Sequence, residues 1–271
     1  MLPIDQTVTW LSLLFAMTIL ANRLHVLDTF GAMVALPIGF TVLWLGTISW
    51  FFILLLFFLL ASCFTKYKYK YKEKMGYSEG NRGARGWKSV LANGGPSALF
   101  AVLYHFSNNN PVFVLAFVGS ISFALSDTVA TEVGLLGQAK PRSIITGKKI
   151  DTGQSGGVTL QGEIAALICS LFISSICGLL LSQDVPHSAS IIFLSGVIAG
   201  MISTNIDSIF GATIQAKYLC AKCKKCLETK IDHCQVRTEL TSGIMIIDNN
   251  IVNLLGALIG AAISGSFVLL T

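Results

Sequence analysis

Residues 112–134 read VFVLAFVGSISFALSDTVATEVG, a lipid-like run that passes without a break into Asp127 and Glu132, with Ser126, Thr128 and Thr131 around them. About 20 apolar residues in a row suffice to cross a bilayer as a helix. Burying a carboxylate there is costly, so an acid in or beside such a run marks a functional position by default. Read this way, the stretch is a membrane span that ends in chemistry.

The rest of the chain agrees. Of 271 residues, 53% are hydrophobic and 12% charged, with a mean hydropathy of +0.70; a soluble domain carries about 25% charged residues. The expectation is an all-α, polytopic membrane helix bundle formed by residues 1–271 as a single integral domain. Eight spans are expected, roughly 7–22, 29–46, 48–64, 89–106, 111–130, 160–182, 189–214 and 249–270. The N-terminal MLPIDQTVTW lacks a basic region before an apolar one, so no signal peptide is expected.

Eight spans place the loops on alternating sides. Arg23, Lys66 to Lys88, Lys140 to Lys149 and Lys217 to Arg237 then fall in the first, third, fifth and seventh loops, so all 19 Lys and Arg share one side. Positive residues are retained in the cytoplasm, which makes that side cytosolic and both termini external. The basic loop 66–88 opens with KYKYKYKEK, read as a stop-transfer flank with tyrosines at the interface or as a contact for anionic headgroups. The net charge of +5 is thus polarised to that one side, and no nucleic-acid partner is expected.

The seven cysteines split into two sets. Cys63, Cys169 and Cys177 lie in apolar runs and read as small packing residues. Cys220, Cys223, Cys226 and Cys234 share the inserted loop 216–242, with His233 beside the last. Overlapping C-x-x-C pairs in a reducing compartment suit a small structural zinc site or free thiols. A closed four-ligand site has no open position for chemistry, so the loop is a staple rather than a catalytic centre.

Five polar clusters fall at the cytosolic level of this topology: NRGARGWKSVLANGGPS (81–97), SDTVATEVG (126–134), KPRSIITGKKIDTGQSGGVTLQGE (140–163), STNIDSIFGATIQ (203–215) and IDNNIVN (247–253). Any one of them reads as a cap, an interhelical contact or a turn. Five at one level read as a site. Helical spacing gives Asp127, Thr131 and Gly134 one face, Asp207, Gly211 and Gln215 another, and Asn249 and Asn253 a third, while Glu132 faces away from Asp127. Carboxylate and amide oxygens suit Mg²⁺, which uses one or two carboxylates plus substrate phosphates. Arg and Lys match phosphate oxygens, and glycine-rich turns present N–H groups to them. The chemistry points to a polyphosphate and a metal facing the cytosol, with a partner drawn from the bilayer.

At these motifs the chain resembles the plant phytyl-phosphate kinases and the transmembrane-protein-19 group, a membrane family of unknown function. NGGPSALFAVLY, SDTVATEVG, PR-x-IT with GGVT-x-x-G, IDSIFGATIQ and DNNIVN carry the resemblance, in order, from about Arg82 onward. The Cys-rich loop is similar to that of prokaryotic, particularly archaeal, members, which implies a prokaryotic cell membrane. The resemblance implies phosphoryl transfer from a nucleoside triphosphate to an isoprenoid monophosphate. SDTVATEVG also resembles the D-T-x-A signature of polyprenol kinases and CTP-dependent cytidylyltransferases, which makes CTP the expected donor and CDP-lipid formation a rival reaction. An ion or solute transporter is a further alternative.

For such a reaction the Mg²⁺ ligands expected from the acidic and amide clusters are Asp127, Asp207 and Asp248, with Glu132, Asn249 and Asn253 as secondary ligands or orienters. Arg82, Arg85, Arg142 and Lys148 are expected to hold phosphates. Gly156, Gly157 and Thr159 are expected to cradle the triphosphate. Chain length of the isoprenoid and oligomeric state are left open by the sequence.

Overall fold

The computed structural model describes residues 4–75, 83–185, 189–220, 226–227 and 238–270. Arg82, Cys223 and Cys234 lie outside them. Each expected span is a helix: α1 Ile4–Arg23, α2 Thr29–Leu45, α3 Ile48–Lys66, α5 Trp87–Phe106, α6 Pro111–Leu136, α7 Leu160–Leu181, α8 Ala189–Thr213 and α9 Asn249–Ser266, the last closed by a 3-10 turn at Phe267–Leu270. A short helix, α4 Tyr69–Lys74, follows α3 within the basic loop.

Helix boundaries follow capping chemistry. Asp28 accepts the Gly31 N–H at 2.6 Å, Asn110 that of Val112 at 3.0 Å, Thr159 that of Gly162 at 3.0 Å and Asp248 that of Ile251 at 3.1 Å. Each satisfies a donor that the first turn leaves orphaned. Pro111 at the first position of α6 loses no hydrogen bond there.

Among the described residues, α3, α6, α7, α8 and the stretch Asn249–Leu269 are long and apolar enough to cross a membrane, and α2 is a shorter apolar helix. The remaining long helices, α1 and α5, carry more polar residues. Helix α6 is the axis of the bundle: α3, α5, α7, α8 and α9 all pack on it, and its residues from Val114 to Asp127 are buried without exception.

Close packing around α6 depends on small residues. A side chain at Gly119 would strike the Gly260 carbonyl, one at Gly256 the Phe123 ring, and one at Gly200 the Ser122 hydroxyl, 2.5 Å away. Fully buried serines bond across the neighbouring α6–α7 and α8–α9 contacts, Ser126 to Ser170 at 2.8 Å and Ser264 to Ser195 at 2.9 Å. Glycine and serine let helix backbones approach closely where lipid offers no hydrophobic driving force.

Two expectations are corrected. The span around Asp127 does not end at residue 130; α6 runs on to Leu136, so SDTVATEVG is helix interior. The chain is not purely α-helical either. Strands β1 Arg142–Ser143 and β2 Gly157–Val158 form a hairpin. The inserted loop carries an antiparallel sheet of β3 Lys217–Cys220, β4 Cys226–Leu227 and β5 Thr238–Ser242, in the order β4-β3-β5.

The basic segments gather at one end. Asp28 N–H donates to the Arg85 carbonyl at 3.1 Å, and Lys66 Nζ to the Leu24 carbonyl at 2.6 Å, joining the first loop to the third. Lys72 pairs with Glu132 at the end of α6, and Lys88 with Asp248 at the start of α9. Gly156, at φ +80°, lies against the Ala212 backbone, joining the fifth loop to the end of α8.

Candidate functional site

The glycine contacts fix which faces of α6, α8 and α9 meet. On α6, Gly119 and Phe123 face Gly260 and Gly256 of α9; Val118 and Ser122 face Gly196 and Gly200 of α8. Asp127 continues the first stripe, one turn beyond Phe123. Asn253 lies just under one turn from Gly256 in the same direction. On α8, Thr204 and Asp207 continue the stripe of Gly196 and Gly200. Asp127, Thr204, Asp207 and Asn253 therefore sit on the faces that converge at the α6–α8–α9 junction, just past a tight glycine–serine seam and toward the basic end. Asn249 lies one turn further out on α9.

Three of the four are buried, Asp127 at 9% exposed, Thr204 at 2% and Asn253 at 9%, and Asp207 is partly exposed. Among the described residues Thr204 Oγ1 and Asn253 Oδ1 have no hydrogen-bond partner, nor has Ser97 Oγ on α5. Buried polar atoms are normally paired, and an orphaned one calls for a ligand or a water. Lys88 and Asp248 fix the level of α5 against α9, at 3.2 Å. Asn93, five residues beyond Lys88, thus lies at the level of Asn253, five beyond Asp248.

Other expected site residues are engaged elsewhere. Glu132 bonds Lys72 Nζ at 2.5 Å; Lys72, only 2% exposed, also donates to the Phe64 and Thr65 carbonyls at 3.1 and 2.7 Å. One ammonium thus serves the C-terminal carbonyls of α3 and a carboxylate on α6. Arg85 is buried, with its guanidinium 3.4 Å from the Thr65 hydroxyl. Arg142 donates to the Gly147 carbonyl at 2.9 Å within its own turn, and Lys148 is exposed on that turn. Gly156 has a local reason in its contact with Ala212, Gly157 belongs to β2, and Thr159 caps α7. The backbones of Cys220 and Cys226 lie on the neighbouring strands β3 and β4.

Asp248 is the N-cap of α9 as well as the partner of Lys88. Burial raises its carboxyl pKa, but the Ile251 N–H and the Lys88 ammonium outweigh burial and hold it below the usual carboxylate value. Among the described residues no three His, Cys, Asp or Glu side chains come together as a metal cluster. Asp127, Asp207 and Asp248 thus do not close into a carboxylate cage. Asp127, Asp207 and Asn253 carry hard oxygens of the type that would suit a metal completing its shell with phosphates and water, Asn253 Oδ1 having no partner among the described residues.

Sequence reasoning missed Lys72, because nothing in KYKYKYKEK separates it from the exposed lysines beside it. It also missed Thr204, although its spacing from Gly200 and Asp207 was readable. Glu163 and Asn205 were missed as a pair: Asn205 Nδ2 donates to Glu163 Oε2 at 3.3 Å between α8 and α7.

The family described as integral membrane protein DUF92 matches residues 12–261. An uncharacterized membrane protein of Methanocaldococcus jannaschii is 29% identical over 201 residues, covering 74% of this chain and 80% of that protein. Protein PGR of Arabidopsis thaliana is 30% identical over 226 residues, 76% of this chain and 77% of that protein. The chloroplastic protein VTE6 of the same plant is 30% identical over 184 residues, 64% of this chain and 54% of its own length, so the matched region spans about half of it. No solved structure matches. With a match that covers nearly its whole length, the chain belongs to the DUF92 family of integral membrane proteins.

Proposed function

We propose that the protein is a membrane phosphotransferase that passes the terminal phosphoryl group of a nucleoside triphosphate, CTP foremost, to an isoprenoid monophosphate. An oxygen of the acceptor phosphate attacks the terminal phosphorus, the bond to the bridging oxygen breaks, and a nucleoside diphosphate leaves with a prenyl diphosphate as product. The observation that carries this reading is the junction of α6, α8 and α9, onto which the faces bearing Asp127, Thr204, Asp207 and Asn253 converge between the buried glycine–serine seam and the basic end. The motif resemblance to phytyl-phosphate kinases supports it independently. In this reading all eight long helices cross the bilayer, the basic end faces the cytosol and both termini lie outside.

The acceptor's second pKa is about 6, so it is largely dianionic at neutral pH and needs no general base. The barrier is repulsion between two polyanions, and catalysis is positioning plus charge neutralisation. Asp127, Asp207 and Asn253 would hold Mg²⁺, with Asn249 as an outer ligand. The metal, when bound, would screen the phosphate charge. The exposed turn carrying Arg142 and Lys148 would supply positive charge to the phosphates, with the α7 N-terminus at Thr159 following it in the chain. The Gly/Ser seam excludes water from the inner side of the junction.

The test is purified protein in nanodiscs with Mg²⁺, each labelled nucleoside triphosphate and a panel of prenyl monophosphates. A nucleoside diphosphate with prenyl diphosphate is the expected outcome. Pyrophosphate release would instead identify nucleotidyl transfer, and no turnover with any triphosphate would remove the reading.

A further inference from the structure

The Lys88–Asp248 pair stands at the mouth between α5 and α9, and its surroundings are unusual for a charged end. The turn before Asp248 exposes three consecutive large apolar side chains: Ile244, Met245 and Ile246 are 50%, 58% and 75% exposed. The turn is closed by a 2.8 Å bond from the Ile247 N–H to the Ile244 carbonyl, and Ile244 N–H is held by the Ile214 carbonyl at 2.9 Å. Across the mouth Trp87 and Leu91, at i and i+4 on α5, are also exposed, and the Lys88 ammonium lies 5.9 Å from the centre of the Trp87 ring. A cation is thus set in an apolar rim, the pattern that an amphiphile with an anionic head and an apolar chain would recognise.

The ion pair is built to open. Both partners are partly exposed, 56% and 36%, and such pairs contribute only about 0–1 kcal/mol. Asp248 keeps a second partner, the Ile251 N–H, when Lys88 leaves it. A dianionic phosphate ester carries twice the charge of the carboxylate it would displace, and an ammonium is a compact phosphate receptor.

We propose that this mouth is the docking port for the lipid acceptor: Lys88 receives its phosphate, and Trp87, Leu91 and the 244–246 turn take the first part of its chain. The proposal rests on the phosphotransferase reading for its substrate, and deepens it by separating the acceptor's port from the nucleotide's contacts on the Arg142–Lys148 turn. Asp248 acts here as the placeholder for the acceptor phosphate.

Binding of dodecyl phosphate to the nanodisc-embedded protein, without nucleotide, tests the port independently of turnover. Lys88→Gln should weaken it by about tenfold or more, the loss of one charge-assisted contact, while Lys88→Arg keeps most of it. Met245→Ser with Ile246→Ser should weaken dodecyl phosphate and leave inorganic phosphate unaffected. In turnover assays Lys88→Gln should raise KM for the prenyl phosphate and leave KM for the triphosphate unchanged. Unaltered dodecyl phosphate binding in Lys88→Gln would overturn the proposal. So would a turn variant that changes only membrane anchoring, or a Lys88→Gln defect confined to the nucleotide. Binding that follows these expectations in a protein with no kinase turnover would uphold the port and reject the reaction.

Discussion

Asp127 shows how one residue's meaning depends on where its helix stops. Were α6 to end at residue 130, Asp127 would be a near-terminal acid open to solvent. With α6 continuing to Leu136 it is buried, on the face that meets α9. Asp127→Asn and Asp207→Asn keep the shape of each position but remove the charge and turn one acceptor oxygen into an NH₂ donor. Each should abolish prenyl-phosphate turnover while leaving thermal unfolding in detergent within a few degrees of wild type; near-normal turnover in either would remove that carboxylate from the mechanism. Glu132 behaves in the opposite sense. Glu132→Gln leaves the buried Lys72 ammonium with neutral acceptors only, and removing the charge from one side of a buried pair costs up to about 3–5 kcal/mol. Replacing both, as Lys72→Met with Glu132→Met, should recover most of that loss in chemical denaturation, and a double variant as unstable as the single one would mean that the α3 carbonyls, not Glu132, are what Lys72 serves.

Among the elements, the α6–α9 contact is set by glycine. Gly119 and Gly260 approach backbone to backbone, so Gly119→Ala cannot be relieved by a side-chain rotation. The helices must separate, at a cost of about 1–3 kcal/mol typical of overpacking, and Asn253 and Asp127 separate with them. The variant should lower both unfolding temperature and turnover, whereas Gly147→Ala, where no atom lies within 4 Å, should show only the backbone strain of its positive φ. Unchanged turnover in Gly119→Ala would show that the junction tolerates a wider spacing than the seam implies. Helix existence and approximate bounds were legible from apolar run length; that Thr159 and Asp248, expected as phosphate cradle and metal ligand, cap α7 and α9 was not. The extension of α6 was not, because a polar stretch after an apolar run reads equally as loop or as buried helix; packing of α7 and α3–α4 around it is what makes it helix.

At the scale of the whole molecule, the basic segments gathered at one end predict a single orientation. In a variant lacking the native cysteines, a cysteine at Asn109 should react with an impermeant maleimide from outside the cell and one at Thr146 only in inverted vesicles. Labelling of both from one side would require a different number of crossings. The five polar clusters were readable in the sequence as a set, but their division was not. Run length, capping residues and charge asymmetry act locally or additively along the chain, so the sequence by itself determined a helical membrane protein with its basic loops and polar motifs at one level. Which of those groups meet depends on helix rotation and on contacts between residues far apart in the chain. Only the tertiary structure turned the helix faces that bear Asp127, Thr204, Asp207 and Asn253 toward one junction, paired Glu132 with Lys72, and set Asp248 against Lys88, because each depends on close packing that no local stretch encodes.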